Sequence, residues 1–191
     1  MLQGLEDPRN GRAWQRFYAR YTPMLLCFAK RVGLSDADAQ DVVAETLTTF
    51  IAAYRAGQYR RERGRLKSWL GGIAQNKIHK HHARRVRASL DGDAQGRSGR
   101  PPDSIAPDAL REAYEREWAL ERLNLAIENL RRESDPNTYQ AFDLYALKDW
   151  PVAKVAAFLK TTPNAIYISK SRMLKRLRII MQQIIDDEEQ R

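Results

Sequence analysis

Cysteine is nearly missing from this chain: Cys27 stands alone among 191 residues. That count excludes an internal disulfide and a cysteine-based zinc site. The apolar neighbours Met24, Leu25, Leu26, Phe28 and Ala29 lead us to expect a buried small hydrophobe at Cys27. Glycine and proline are also sparse, at 10 and 8 residues, and 43% of the chain is hydrophobic. A collagen-like or disordered chain is thereby excluded. There is no apolar run long enough to cross a bilayer and mean hydropathy is −0.63, which excludes insertion into a membrane. The first residues lack the apolar stretch of a signal peptide, so a soluble, cytoplasmic protein is expected.

Acidic charge is in deficit. Thirty-three Lys and Arg against 24 Asp and Glu give a net charge of +9, which points to a polyanionic partner. The excess is concentrated. Between positions 60 and 87, ten cations (Arg60, Arg61, Arg63, Arg65, Lys67, Lys77, Lys80, Arg84, Arg85 and Arg87) stand against the single acid Glu62. A second block from 160 to 178 holds Lys160, Lys170, Arg172, Lys175, Arg176 and Arg178 with no acid. Two basic blocks of this density favour nucleic acid over an ordinary solvated face. The acids are grouped as well, as Asp36, Asp38, Asp41 and Glu45.

Hydrophobic periodicity is helical throughout. Residues 13–31 carry Trp14, Phe17, Tyr18, Tyr21, Leu25 and Phe28 in one stripe, with Pro23 as an expected kink or break. A second helix opens at Ser35, where a capping box places carboxylates in the positive first turn, and Gly57 stops it. Opposite its apolar face, Asp38, Asp41 and Glu45 line up at i, i+3 and i+7. A third helix spans 66–87, with Trp69, Leu70, Ile73 and Ile78 inward. From 90 to 107 the periodicity stops in a Gly-, Ser- and Pro-bearing stretch expected to be a flexible linker, able to extend to about 60 Å. Helical pattern resumes at Asp108 and again over 137–148. The expected fold is all-α, in two small helical domains, 1–89 and 108–191, joined by the 90–107 linker.

The end of the chain has the layout of a helix-turn-helix. A short helix over 151–159 is followed by a tight turn and a long basic helix that begins at Thr162-Pro163, a cap and a proline in the first helical position. On that second helix Ile166, Met173, Leu177, Ile180 and Ile184 share the core side. Asn164, Tyr167, Ile168, Ser171, Arg172 and Lys175 face away, and exposed Tyr167 and Ile168 suit contact with thymine methyls and sugar-phosphate.

Taken in order, the run Asp38 to Glu45, the run Arg65 to Lys77 and the run Val155 to Leu159 with Lys175 to Arg178 resemble the extracytoplasmic-function sigma factors of bacterial RNA polymerase, within the sigma-70 family. The resemblance implies a region 2 bundle and a region 4 helix-turn-helix. It implies a dissociable subunit that binds core polymerase, recognises the −35 element, melts the −10 element and directs transcription initiation. Asp38, Asp41 and Glu45 match the acidic helix that docks on the polymerase. Gln40 stands where relatives usually carry a carboxylate, and phosphorylation of Thr46, Thr48 or Thr49 would restore negative charge there. For the −10 DNA the matching residues are Arg61, Arg63, Arg65, Lys67, Trp69, Asn76, Lys77 and Lys80. An amide, aromatic walls and nearby cations are what capture of an unstacked base requires. We expect Trp69 to support that pocket from the core. The −35 contacts fall on Asn164, Tyr167, Ile168, Ser171, Arg172 and Lys175, with Tyr167 and Ser169 departing from the family's usual cations.

Because the acidic stripe repels phosphate, we expect it to point away from the DNA drawn by the 60–87 block and toward a basic protein surface. His79, His81 and His82 are not spaced for one helical face and are expected to extend the basic surface, so no metal or other cofactor is expected. No nucleophile–base pairing or phosphate loop points to an enzyme. The expected partners are core RNA polymerase and promoter DNA, with an anti-sigma factor or a kinase left open. The alternatives are a stand-alone helix-turn-helix regulator and a protein-binding adaptor.

Overall fold

The computed structural model describes residues 5, 7, 10–60, 62, 64–92 and 106–190. These residues form seven α-helices and no strand, as the periodicity requires: α1 Gly11–Arg31, α2 Asp36–Arg55, α3 Leu66–Gly92, α4 Pro107–Glu133, α5 Pro136–Phe142, α6 Val152–Phe158 and α7 Pro163–Gln190. They divide into two compact units, one reaching to Ala119 and the other Leu120–Gln190.

In the first unit, Asn10 caps α1 by accepting from the Ala13 N–H at 3.1 Å. The helix buries Trp14, Phe17, Tyr21, Met24, Leu25 and Phe28. Pro23 does not break it: its ring points to solvent, and burial of Tyr21, Met24 and Leu25 on either side holds the helix through the lost hydrogen bond. Cys27 is exposed, against expectation. It sits on the arc opposite Leu25 and Phe28, so its apolar neighbours in sequence are not its neighbours in space. Helix α2 starts at the Ser35 cap and buries Val42, Val43, Leu47 and Phe50. It ends before Gly57, whose φ of 67° lies in the left-handed region open to glycine. Phe50 stacks on Phe17 with centroids 4.8 Å apart, and Leu70, Ala74 and Ile78 bring α3 onto the same core.

That core is completed by the N-terminal half of α4. Leu110, Tyr114 and Trp118 are buried in it; Trp118 stacks on Tyr21 at 5.3 Å and Tyr114 meets Phe28 edge-on at 5.4 Å. Gly71 permits this approach, because a Cβ there would fall 2.5 Å from the Tyr114 ring. Buried Glu117 pairs with Arg31. The first unit therefore extends past position 108, where the second domain was expected to begin. Of the expected 90–107 linker, residues 93–105 lie outside the described residues. The helices on both sides of that segment, α3 and the N-terminal half of α4, pack in the first unit.

The second unit packs Ala126 and Leu130 of α4 against Phe142, Met173 and Ile180, and Leu144, Val155 and Ala156 against Ile166. The helix expected over 137–148 is α5, capped by Asp135, followed by a π-helical turn Asp143–Leu147 that closes with the Lys148 N–H on the Asp143 carbonyl at 2.9 Å. Thr162 caps α7 by accepting from the Ala165 N–H at 3.2 Å. Between α6 and α7, Lys160 takes a φ of 51°, at a cost of about 1 kcal/mol for a residue with a Cβ.

If the first half of α4 is core, a fragment ending at 119 must be more stable than one ending at 92. The shorter fragment exposes the core surface that Leu110, Tyr114 and Trp118 cover, which predicts a higher urea midpoint for the fragment ending at 119. Urea unfolding of the two fragments measures it, and equal midpoints would show that α4 rests on the unit without holding it together.

Candidate nucleic-acid interface and acidic docking face

Helix α3 presents three edges to three different surroundings. Trp69, Asn76 and Lys80, at i, i+7 and i+11, share the first. Trp69 is half-buried: it tilts against Phe50 at 4.9 Å, and Tyr59 of the preceding loop stacks on it at 5.1 Å, continuing to Tyr54 at 5.9 Å. Trp69 thus packs between the core and the loop, and Tyr59 is an aromatic neighbour that the sequence pattern did not single out. Asn76 and Lys80 are exposed, as is Arg65. Arg61 and Arg63 lie outside the described residues.

The second edge of α3 faces α2. Lys77 donates to Glu45 at 3.3 Å and Arg84 lies 3.5 Å from the same carboxylate; His81 Nε2 is 3.1 Å and Arg85 3.6 Å from Asp38. The partners run antiparallel, 38 with 81 and 85, 45 with 77 and 84. The acidic stripe, expected to point away from the DNA drawn by the 60–87 block, meets part of that block itself: α3 brings Lys77, His81, Arg84 and Arg85 to Asp38 and Glu45. The physical reason is spacing, since 77, 81, 84 and 85 form one α3 stripe that meets the 38–45 stripe when the two helices pack. Asp41 is exposed and has no ion-pair partner among the described residues. A cleft of about 650 Å³ lies here, lined by Asp38, Asp41, Val42, Ala44, Glu45, His81, Arg84 and Arg85.

These contacts set the ionisation of the face. Asp38 accepts from the Ser35 hydroxyl at 2.7 Å, which with His81 and Arg85 holds its carboxyl below the usual range. The Lys77 hydrogen bond does the same to Glu45, aided by the charge of Arg84. His82, half-buried beside His81 and Arg85, has its pKa lowered mainly by desolvation. The histidines therefore do not simply extend the basic surface: His81 is turned to Asp38, and the environment of His82 disfavours its charge. No group of three His, Cys, Asp or Glu able to hold a metal ion occurs among the described residues. Thr46 is removed as a phosphate acceptor, being buried with its hydroxyl donated to the Val42 carbonyl at 2.7 Å, whereas Thr48 is exposed.

The third edge of α3 meets α4. Lys67 pairs with Glu115, lies 6.0 Å from the centroid of the Trp118 ring, and accepts the Tyr114 hydroxyl at its carbonyl at 2.9 Å.

In the second unit, Ile166, Met173 and Ile180 are buried and Leu177 and Ile184 half-buried, while Asn164, Tyr167, Ile168, Ser171, Arg172 and Lys175 are exposed. Tyr167 and Ile168 keep 49% and 43% of their surface accessible, a large apolar exposure for one helix face. Tyr145 of the π-helical turn stands edge-on to Tyr167 at 5.6 Å, and Lys170 lies over the Tyr145 ring at 4.9 Å.

Residues 17–88 match the family model of sigma-70 region 2. The match supports a member of the sigma-70 family. It covers most of α1, all of α2 and α3 up to 88, and so contains both the acidic stripe and the stripe of Trp69, Asn76 and Lys80. This sigma-70 region 2 match supports a role in RNA polymerase binding and transcription initiation. Neither the curated proteins nor the solved structures give a match. No helix among the described residues is long and apolar enough to cross a membrane.

The shifted groups predict how the α2–α3 contact responds to acid. His82 has a folded pKa below its unfolded one, so the unfolded chain binds more protons and stability declines as pH falls below about 6.5. Asp38 and Glu45 are lowered as well, so their contribution is present above the ordinary carboxylate range and lost as pH falls through their folded values. Thermal unfolding followed between pH 8 and 3 should therefore show two declining limbs. His82→Asn should flatten the upper limb, and an unchanged upper limb in that variant would discount the half-buried histidine.

Proposed function

We propose that the chain is a sigma factor of the extracytoplasmic-function type, a dissociable subunit that brings core polymerase to a promoter, reads its −35 element and opens its −10 element, with no catalysis of its own. The observation that carries this is the region 2 match over 17–88, falling on the unit that combines an acidic helix face with a cationic, aromatic-walled one. The helix-turn-helix of α6 and α7 supplies the second DNA surface, in which Arg172 suits a base edge and Lys175 a phosphate. Core polymerase and promoter DNA are the partners; an anti-sigma factor or a kinase directed to Thr48 is compatible with the same surfaces.

In this scheme the polymerase meets α2. Asp38 and Glu45 are internally compensated, so Asp41 is the stripe's available charge and Asp38 and Glu45 hold the helix pair in register. Asp41→Lys should leave the fold intact and cost about 2–5 kcal/mol in affinity for core enzyme, because it sets like charges against a basic surface. Titration of labelled chain with core enzyme reads the loss; near-native affinity in a folded variant would remove α2 as the docking helix.

On the −10 side, Asn76 is the exposed amide for an unstacked base, with cations nearby for the backbone. Asn76→Ala should leave core binding and −35 duplex binding near normal and cost about 1–3 kcal/mol of open-complex stability, since only the extruded base loses its hydrogen bond. Permanganate reactivity of thymines near the start site measures opening directly, and full reactivity in the variant would take Asn76 out of the pocket.

A further inference from the structure

Tyr167 and Ile168 are large, apolar and exposed, and both stand in the second turn of α7, near the end that a helix-turn-helix brings against base edges. By the helical repeat, Asn164, Ile168, Ser171 and Lys175 run down the middle of the outward face, with Tyr167 on one margin and Arg172 on the other. The Tyr167 margin is walled by a residue from outside the helix-turn-helix. Tyr145, in the π-helical turn Asp143–Leu147, packs against the cluster of Leu144, Val155 and Ile166. It meets Tyr167 edge-on with centroids 5.6 Å apart, and the Lys170 ammonium lies over its own ring at 4.9 Å. We infer that Tyr145 is a positioning residue of the DNA reader: it sets the ring of Tyr167 so that α7 distinguishes thymine by its methyl group. The inference rests on the −35 role proposed above for α7 and adds to it a determinant that lies before α6.

Two features make Tyr145 the fixed member of the pair. Its turn closes through the Lys148 N–H on the Asp143 carbonyl, one residue wider than an α-helical turn, a geometry that recurs at functional sites. Its ring is held by the core on one side and by the Lys170 cation on another, whereas Tyr167 keeps 49% of its surface accessible. Edge-on contact directs the positive rim of one ring at the negative face of the other, so the orientation of the fixed ring dictates that of the exposed one. On the DNA side, the C5 methyl of thymine is the apolar group that a base-pair edge presents in the major groove. An oriented Tyr167 beside Ile168 therefore has that methyl as its complement.

Duplexes are selected from a randomised library by the full chain carried on core polymerase. Each thymine of the upstream element that the selection fixes is then replaced in turn by deoxyuridine, which lacks only the methyl group. The unaltered chain should bind more weakly by about fourfold at each thymine whose methyl it covers, the factor that burial of one such group carries. Tyr167→Ala identifies the position under its ring by removing the penalty there alone. Tyr145→Ala should bring the penalty at that same position close to one and leave the others intact, whereas Tyr145→Phe, which keeps the ring, should retain it. A merely structural loss would weaken binding to every duplex alike and leave each ratio unmoved. No deoxyuridine penalty in the unaltered chain, a full penalty at the Tyr167 position in Tyr145→Ala, or a penalty lost in Tyr145→Phe would each overturn the inference. The underlying reading fails by a different result: a selection that fixes no upstream element at all.

Discussion

Helix α3 is strongly basic, and it meets carboxylates along two of its edges. Its cations are brought close together by the helical repeat, and their mutual repulsion grows as the surrounding core excludes water. The chain answers with Asp38 and Glu45 of α2 along one edge and Glu115 of α4 along another. Each pair is partly exposed and individually worth little. Their value lies in relieving repulsion, so that the aromatic core of Trp14, Phe17, Phe50, Trp69 and Trp118 can close beneath. Asn76, Lys80 and Asp41 are among the polar side chains that stay exposed on the first unit.

This constraint divides the labour of α3 among its three edges. One edge is spent on internal order with α2, one on contact with α4, and one carries the amide and cation beside the wall of Tyr59 and Trp69. In the second unit, Arg172 and Lys175 of α7 are exposed, and the core side of that helix is held by Ile166, Met173 and Ile180.

Most of the helical architecture was legible from periodicity and caps, because those signals are local: Ser35, Gly57 and Thr162 act within a turn of where they sit. The outward face of α7 was legible for the same reason. What the pattern did not disclose is pairing over distance. Leu110, Tyr114 and Trp118 repeat as one helical stripe in sequence, but the repeat says only that they bury, and the Gly71 gap that receives Tyr114 lies 43 positions away. The compensation of Glu45 by Lys77 likewise depends on how α2 and α3 meet, 32 positions apart. The exposure of Cys27 depends on its position on the helix and not on its apolar neighbours in sequence. The π-helical turn that carries Tyr145 has no local signature that separates it from a continuing α-helix.

Initiation itself is the most direct measurement. Purified core polymerase, given genomic fragments from the same cell and assayed by run-off transcription with and without this chain, should produce transcripts of defined start only when the chain is present. Those transcripts should originate from duplex DNA that the chain alone does not open. Equal transcription without the chain, or tight sequence-specific duplex binding by the chain that core enzyme neither enhances nor converts into transcript, would contradict a sigma factor and leave a helix-turn-helix regulator in its place.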